Sequence, residues 1–323
     1  MRPERAKEIV GRFPALNILV AGDVMLDEFV WGEVSRISPE APVPVVEVSD
    51  ESFFAGGAAN VARNLREMGA RAAVAGVRGD DAAGERLHSL LAGAQIEDRA
   101  VIASPAAATI VKTRVIARHQ QVVRIDREKR QRVGPEIEEK VLAQLAAQRD
   151  GWDAVIFSDY AKGFLTPSLA AGICRLAEGR IITVDPSPRN PLDWRGVTAI
   201  KPNLREARAA AGVPPETPPE EAAAKLLERW DTRMVLVTLG EHGMLLVERG
   251  REPYHTPTRA RDVYDVSGAG DTAIAVFTLA LAAGAEPREA AELANHASGV
   301  AVGKLGTATV TPEELLESVA RLG

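Results

Sequence analysis

Short runs of apolar, β-branched residues alternate along the chain with longer segments whose apolar positions recur every three or four residues, the pattern of an α/β protein. Asn17–Ala21 (NILVA) reads as a buried strand that ends at Gly22-Asp23. Ala58–Met68 has helical spacing and stops at Gly69, and Arg71–Ala75 returns to strand. Further strands are predicted at Asp153–Phe157, Arg180–Val184, Thr198–Ile200 and Met234–Thr238, with helices around 135–148, 166–178, 203–212 and 218–229. The final third reads as nearly all helix, over Ala269–Ala283, Pro287–Val302 and Pro312–Val319. Several strands are apolar on both faces, as expected of a parallel sheet covered by helices.

Two stretches break this rhythm. Phe29–Phe54 and Thr109–Asp126 are β-branched, rich in Arg and without a helical period. They read as strands of a small second sheet inserted into one large α/β domain, able to close over a ligand or to pair with another copy. An irregular edge hairpin is the alternative.

Composition narrows the function. The 323 residues carry a formal net charge of −6, so the chain has no general attraction for nucleic acid or an anionic membrane. Any anion must be held locally. One cysteine, Cys174, excludes an internal disulfide framework and a multi-cysteine metal site. His88, His119, His242, His255 and His296 are scattered. No apolar stretch approaches the roughly 20 residues of a membrane span, and the charged N-terminus is unlike a signal peptide. The expectation is a soluble, cytoplasmic protein.

Asp265–Thr272 (DVSGAGDT) is the most informative stretch, immediately before a predicted helix. Gly268, Ala269 and Gly270 leave their N–H groups unobstructed at the positive end of the helix dipole, which makes an anion site without a cationic side chain. A carboxylate beside such a site, Asp271, makes chemical sense as a general base that takes a proton from an attacking hydroxyl. Two other readings are open here. Gly268–Ala273 formally fits the dinucleotide pattern GxGxxG/A, though late in the chain, and Asp271 would also serve as an ordinary helix cap.

Ala55–Asn60 (AGGAAN) opens another helix. Its glycines allow close backbone approach and Asn60 can both donate to and accept from a sugar hydroxyl, or the segment is a capped turn. Asp27, past the first strand, can accept from two polyol hydroxyls where ligands bind in open α/β sheets. Asn203 and Glu206, one helical turn apart, suit a hydrated Mg²⁺ or form a capping pair. Thr238-Leu239-Gly240 ends a strand in a turn that could border a nucleotide, with His242 read as a turn residue. No Walker A sequence occurs.

Taken in order, AGGAAN, NLRE and DVSGAGD resemble the signature regions of the PfkB (ribokinase-like) carbohydrate kinases, from about residue 17 to 320. The resemblance implies a ribokinase-like three-layer α/β fold: a central, mostly parallel sheet covered by helices, plus a small β-sheet lid. It implies ATP with Mg²⁺, Asp271 as base, and Gly268, Ala269 and Gly270 as anion hole. Asn203 and Glu206 then belong to the phosphate and Mg²⁺ region, Thr238 and Gly240 border the ATP phosphates, and Asn295 lies near the adenine. Sugar contacts map to Asp27, Gly57 and Asn60. Some members bind a monovalent cation such as K⁺, whose ligands would fall at Asp265 and Ser267. Lids of the family often pair, so a homodimer through the lid sheet is expected.

GDVMLD, SRISPEAPVPVV, GGAANVARN, TRVIARHQQVVRID, SDYAKG, VYDVSGAGDT and VGKLGTATV resemble more closely the branch that phosphorylates D-glycero-β-D-manno-heptose 7-phosphate at its anomeric oxygen, toward ADP-heptose for lipopolysaccharide core. Another sugar or sugar-phosphate acceptor of the family is the alternative. A 7-phosphate substrate calls for a cationic clamp, with Lys112, Arg114 and Arg118 first and Arg36, Arg124 and Lys162 as further candidates. No HxGH nucleotidyl-transfer motif occurs, so the expectation is a stand-alone kinase without the adenylyltransferase domain of fused relatives.

Overall fold

In the first strand, Asn17–Gly22 (β1), Ile18 and Val20 enter one hydrophobic core and Leu19 and Ala21 the other. Alternation with apolar residues on both sides demands cover on both sides. Helices Ala58–Glu67, Ala82–Gly93, Ala269–Ala282, Pro287–Ala301 and Pro312–Leu322 bury residues in the first core. Pro135–Ala146, Pro167–Leu176, Leu204–Ala211 and Pro219–Arg229 close the second. The computed structural model describes every residue except His119, Gln131, Arg261, Asp262, Leu305 and Gly323. His119 of TRVIARHQQVVRID and Leu305 of VGKLGTATV therefore lie outside the described residues.

The remaining strands are Val24–Ile37 (β2), Pro44–Gly57 (β3), Arg71–Gly79 (β4), Glu97–Ser104 (β5), Val111–Ala117 (β6), Gln120–Arg127 (β7), Ala154–Ser158 (β8), Ile181–Asp185 (β9), Ala199–Ile200 (β10), Met234–Thr238 (β11), Met244–Glu248 (β12) and Tyr254–Thr256 (β13). Among the described residues, nine form one sheet in the order β13-β12-β11-β10-β9-β8-β1-β4-β5. Neighbours from β11 to β5 run parallel, and β12 and β13 add an antiparallel edge. The order reverses at β1, which lies between β4 and β8. In open α/β sheets a ligand crevice forms beyond the strand C-termini at such a point.

The second sheet has the order β3-β2-β6-β7. Its strands carry the two non-helical stretches, extended on the N-terminal side to Val24: only Asp23 separates β1 from β2. Register places Asp27 beside Lys112 and Phe29 beside Arg114, and pairs Arg114 with Arg124 and Lys112 with Asp126. These residues share one face, and Val30, Val115, Val123 and Ile125 share the other.

The prediction of a nearly all-helical final third is corrected. Met244–Glu248 and Tyr254–Thr256 are strands of the main sheet, the first held by antiparallel pairing to β11 and the second by antiparallel pairing to β12, which a helical reading of that region leaves out. No helix among the described residues is long and apolar enough to cross a membrane.

Candidate active site

Polar residues at the C-terminal ends of the parallel strands converge. Asp23 follows β1, Asp159 and Tyr160 follow β8, Asp185 ends β9, Lys201 follows β10 and Thr238 ends β11. Asp23 is 3% exposed; its Oδ2 accepts from the backbone N–H groups of Tyr160 and Lys162 at 3.0 Å each, and its Oδ1 from that of Phe164 at 3.1 Å. The carboxylate thus fixes the turn that carries Tyr160 and Lys162. Burial pushes its pKa up against those donors. Burial likewise takes Asp159 up to about 7, with the charge of Asp23 adding to the effect.

Over the crevice stands the N-terminus of helix Ala269–Ala282, buried throughout from Asp271 to Ala280. Gly268 is the cap residue, with φ of +79°, and Asp271 is the third residue of the helix. Asp271 therefore does not cap its helix, against one of the two plainer readings of DVSGAGDT. Its carboxylate is 5% exposed and held from both sides: Asn60 Nδ2 donates to Oδ2 at 2.7 Å, and Tyr160 Oη donates to Oδ1 at 2.7 Å. Burial raises the Asp271 pKa, while the Asn60 and Tyr160 hydrogen bonds and the Lys201 charge work against the rise. Burial, together with the charge of Asp271, keeps the Tyr160 phenol protonated far above the ordinary tyrosine range.

Lys201, 3% exposed, places Nζ 3.0 Å from Asp185 Oδ2. A Cβ on Gly270 would stand 3.6 Å from that ammonium, so the charge lies beside the helix N-terminus. The anion site thus has a cationic side chain that the local motif did not disclose. Asp185 is pushed up to about 7, by burial and by the nearby carboxylates Glu206 and Asp271, with Lys201 opposing.

Asn203 and Glu206 form a capping box on helix Leu204–Ala211: Asn203 N–H donates to Glu206 Oε2 and Glu206 N–H to Asn203 Oδ1, both at 2.9 Å. Asn203 also bridges to Thr238, whose N–H donates to Pro202 O at 3.0 Å. Gly240 opens the short turn Gly240–His242 with φ of +61°, and open space lies where a side chain would point; His242 is exposed in that turn. Asp265 Oδ1 accepts from Ser267 N–H at 2.8 Å and Oδ2 from Gly306 N–H at 3.1 Å, which shapes the loop before the anion hole.

Asn60 is on the first turn of helix Ala58–Glu67, as its motif predicts, but its amide serves Asp271. Gly57 has φ of +60°, and a Cβ there would lie 2.3 Å from Asp23 O. Asp27 and Arg114, predicted to hold different parts of a ligand, pair with each other at 2.5 Å, with the guanidinium 5.2 Å from the Phe29 ring centre. Lys112 is half-buried, and burial and the Lys162 charge lower its pKa. Lys162 is paired with Glu128. Arg118 stands exposed at the turn after β6, Arg36 is exposed on β2, and Arg124 pairs with Asp126 of its own strand. Asn295 binds Thr256 Oγ1 at 3.0 Å and Pro257 O at 2.7 Å, apart from this cluster.

Among the described residues no three His, Cys, Asp or Glu side chains come together as a metal cage. The carboxylate of Glu206 lies near enough to Asp185, beside Lys201, to raise the Asp185 pKa, and two carboxylates so placed suit a cation keeping most of its water, as Mg²⁺ does.

The residues missed by sequence reasoning are Tyr160, Asp185, Lys201 and Asp23. The signal available for them was their place, each at a polar break directly after an apolar strand.

The model of the "pfkB family carbohydrate kinase" matches residues 16–314. The chain is 43% identical over 323 residues to the bifunctional protein HldE of Geobacter sulfurreducens, covering 99% of this chain and 66% of that one. It is 46% identical over 311 residues to HldE of Desulfatibacillum aliphaticivorans, covering 95% and 63%. The chain thus spans a little under two thirds of the length of these relatives. Among solved structures, phosphofructokinase-2 of Escherichia coli in complex with substrates and products superposes with a TM-score of 0.79 at 21% identity, over 95% of this chain and 99% of that one. Arabidopsis thaliana ribokinase complexed with ribose and ATP gives 0.72 at 20%, over 94% and 98%. The fold is ribokinase-like, and with a family model spanning nearly the whole chain, the protein belongs to the pfkB family of carbohydrate kinases.

Proposed function

We propose that the protein transfers the γ-phosphoryl group of ATP to the anomeric C1 hydroxyl of D-glycero-β-D-manno-heptose 7-phosphate, giving the 1,7-bisphosphate on a route to ADP-heptose for lipopolysaccharide core. The observation that carries the chemistry is the buried Asp271 carboxylate beside an open helix N-terminus and the Lys201 ammonium. The choice of acceptor rests on the fine sequence matches and is supported by the likeness to proteins named HldE over nearly the whole chain.

In this reading Asp271 takes the proton of the C1 hydroxyl as its oxygen attacks the γ-phosphorus in line. The N–H groups of Gly268, Ala269 and Gly270, with Lys201, stabilise the charge that develops on the transferring group; one preorganised donor of this kind contributes roughly 3–4 kcal/mol. Thr238 and Gly240 border the phosphates of ATP and Asn295 its base. Asn203 and Glu206 would hold Mg²⁺ through water, a cation that neutralises phosphate charge. Asp265 and Ser267 shape a loop suited to K⁺.

Asp27, Gly57 and Asn60 line the sugar site, and Lys112, Arg114 and Arg118 receive the 7-phosphate. The second sheet acts as a lid, formed by segments 29–54 and 109–126 within one kinase unit over residues 1–323. Lid closure shields the reaction from water. The working form is a cytoplasmic homodimer paired through the lid sheet.

The test is ADP release with heptose 7-phosphate against ribose, fructose and fructose 6-phosphate. Heptose 7-phosphate should give a kcat/KM at least 100-fold above each of the others, about the discrimination that pairing a buried charged group supplies. A preference for another sugar with Asp271 still essential would move the protein to a different acceptor within the family.

A further inference from the structure

The carboxylate of Asp271 is engaged on both oxygens by side chains of the protein itself. Asn60 Nδ2 and Tyr160 Oη each stand 2.7 Å from it, one per oxygen. A carboxylate oxygen has two acceptor positions, so each keeps one for an incoming hydroxyl. The two donors arrive from opposite parts of the fold. Asn60 rides on helix Ala58–Glu67 directly behind Gly57, and Tyr160 on the turn after β8 that Asp23 clamps through three backbone N–H groups. Neither arm is free to wander. The tyrosine hydroxyl has one proton, and in this geometry it is committed to Oδ1.

We propose that Tyr160 is a positioning residue for the phosphoryl-transfer base: its hydroxyl fixes the rotation of the Asp271 carboxylate and favours the ionised form of that carboxylate. This rests on the reading of Asp271 as the base. The physical need is clear from the surroundings. Burial favours the neutral acid, and the charge of Asp27 pushes in the same direction. Lys201, Asn60 and Tyr160 oppose it. A protonated Asp271 accepts no proton, so every donor to the carboxylate extends activity toward lower pH. Tyr160 suits the task because its own proton is not lost to the carboxylate: burial and the Asp271 charge hold the phenol neutral. It also places a donor without adding a positive charge that would compete for the transferring phosphoryl group.

The sign of the effect follows. Activity rises with pH as Asp271 ionises; removing a donor to the ionised form raises its pKa, and the low-pH limb of kcat/KM moves to higher pH. Tyr160→Phe should move that limb up by about one pH unit, the scale set by one charge-assisted hydrogen bond. It should lower kcat at neutral pH roughly 10-fold with the KM for ATP unchanged. Tyr160→His, which can donate through a ring N–H, should recover part of the shift. Asp271→Asn is measured beside them and should lose at least 10²-fold in turnover while still binding ATP.

An unmoved limb in Tyr160→Phe with Asp271→Asn inactive overturns the role of Tyr160 alone. Near-normal turnover in Asp271→Asn overturns the base itself. Loss of the folded state in both tyrosine variants, read by thermal unfolding, would make Tyr160 a structural residue and overturn the proposal as well.

Discussion

At the scale of single residues, backbone geometry separates glycines that build the site from glycines that merely occur. Gly57 sits at the corner where β3 becomes helix Ala58–Glu67, with φ of +60° and no room for a Cβ beside Asp23 O. That carbonyl accepts from Ala58 N–H at 3.0 Å, so the corner is tied to the residue that clamps the Tyr160 turn. Gly57→Ala should destabilise by about 1–3 kcal/mol through strain at positive φ, and should lower activity further by displacing Asp23 and Asn60. Gly93, at the exposed end of helix Ala82–Gly93 with nothing near an added Cβ, is the control; Gly93→Ala should gain about half a kcal/mol. Thermal unfolding of the two variants beside activity checks both. Equal and small effects would show that the corner tolerates a side chain and that its geometry does not bear on the site. The same scale explains what the motif could disclose. Gly268–Gly270 and Asp271 are neighbours in sequence, so their joint chemistry is local and visible. The partners of Asp271 are 211 and 111 residues away, and no local pattern announces them.

Between elements, packing rather than motif decides which polar groups are tolerated. His296 on helix Pro287–Ala301 is fully buried, with Nδ1 2.9 Å from Ser318 Oγ of helix Pro312–Leu322. Its Nε2 has no hydrogen-bond partner among the described residues. Burial, with the charges of Arg259 and the N-terminal ammonium against that of Glu292, pushes its pKa down to about 4. The unfolded chain then binds a proton on this histidine that the folded chain refuses, in the window between about 4 and about 6.5. The contribution of neutral His296 is therefore complete above pH 6.5 and is lost as pH falls toward 4. Against His296→Gln, the native chain should lose melting temperature more steeply over that window, and the two curves should run parallel above it. Parallel curves throughout would mean that the histidine takes up its proton in place. Long periodic elements such as Ala269–Ala282 and Pro287–Ala301 were legible in the sequence because their apolar spacing is a property of the segment. Met244–Glu248, Tyr254–Thr256 and Glu97–Ser104 were not. They are short or begin with charged residues, and they exist as strands because β11, β12 and β4 offer them an edge.

At the scale of the whole molecule, the fold supplies a mildly acidic chain with places for the two anionic ligands of the proposed reaction. Its main sheet gathers Lys201 and the helix N-terminus beyond the strand ends, and its second sheet turns one face of alternating charged residues, Asp27, Lys112, Arg114 and Arg124, toward the same region. The sequence disclosed that this sheet exists and that it carries arginines. It did not disclose the sidedness, since that depends on a register set only when β2, β6 and β7 pair. The opposite face carries Val30, Val115, Val123 and Ile125, and on β7 the last two are 47% and 42% exposed. An edge strand with two exposed apolar side chains, beside the polar group of Glu28, Thr113 and Arg127, invites pairing unless something covers it. The proposed homodimer would cover it with the same face of a second copy, the arrangement in which one patch serves both partners. Ile125→Lys places two like charges across the two-fold contact and should convert a dimer to monomer in sedimentation at micromolar concentration, with the melting temperature of the monomer little changed. An unsubstituted chain that sediments as a monomer under the same conditions would remove the dimer from the proposal. A dimer unaffected by the substitution would place its contact elsewhere on the surface.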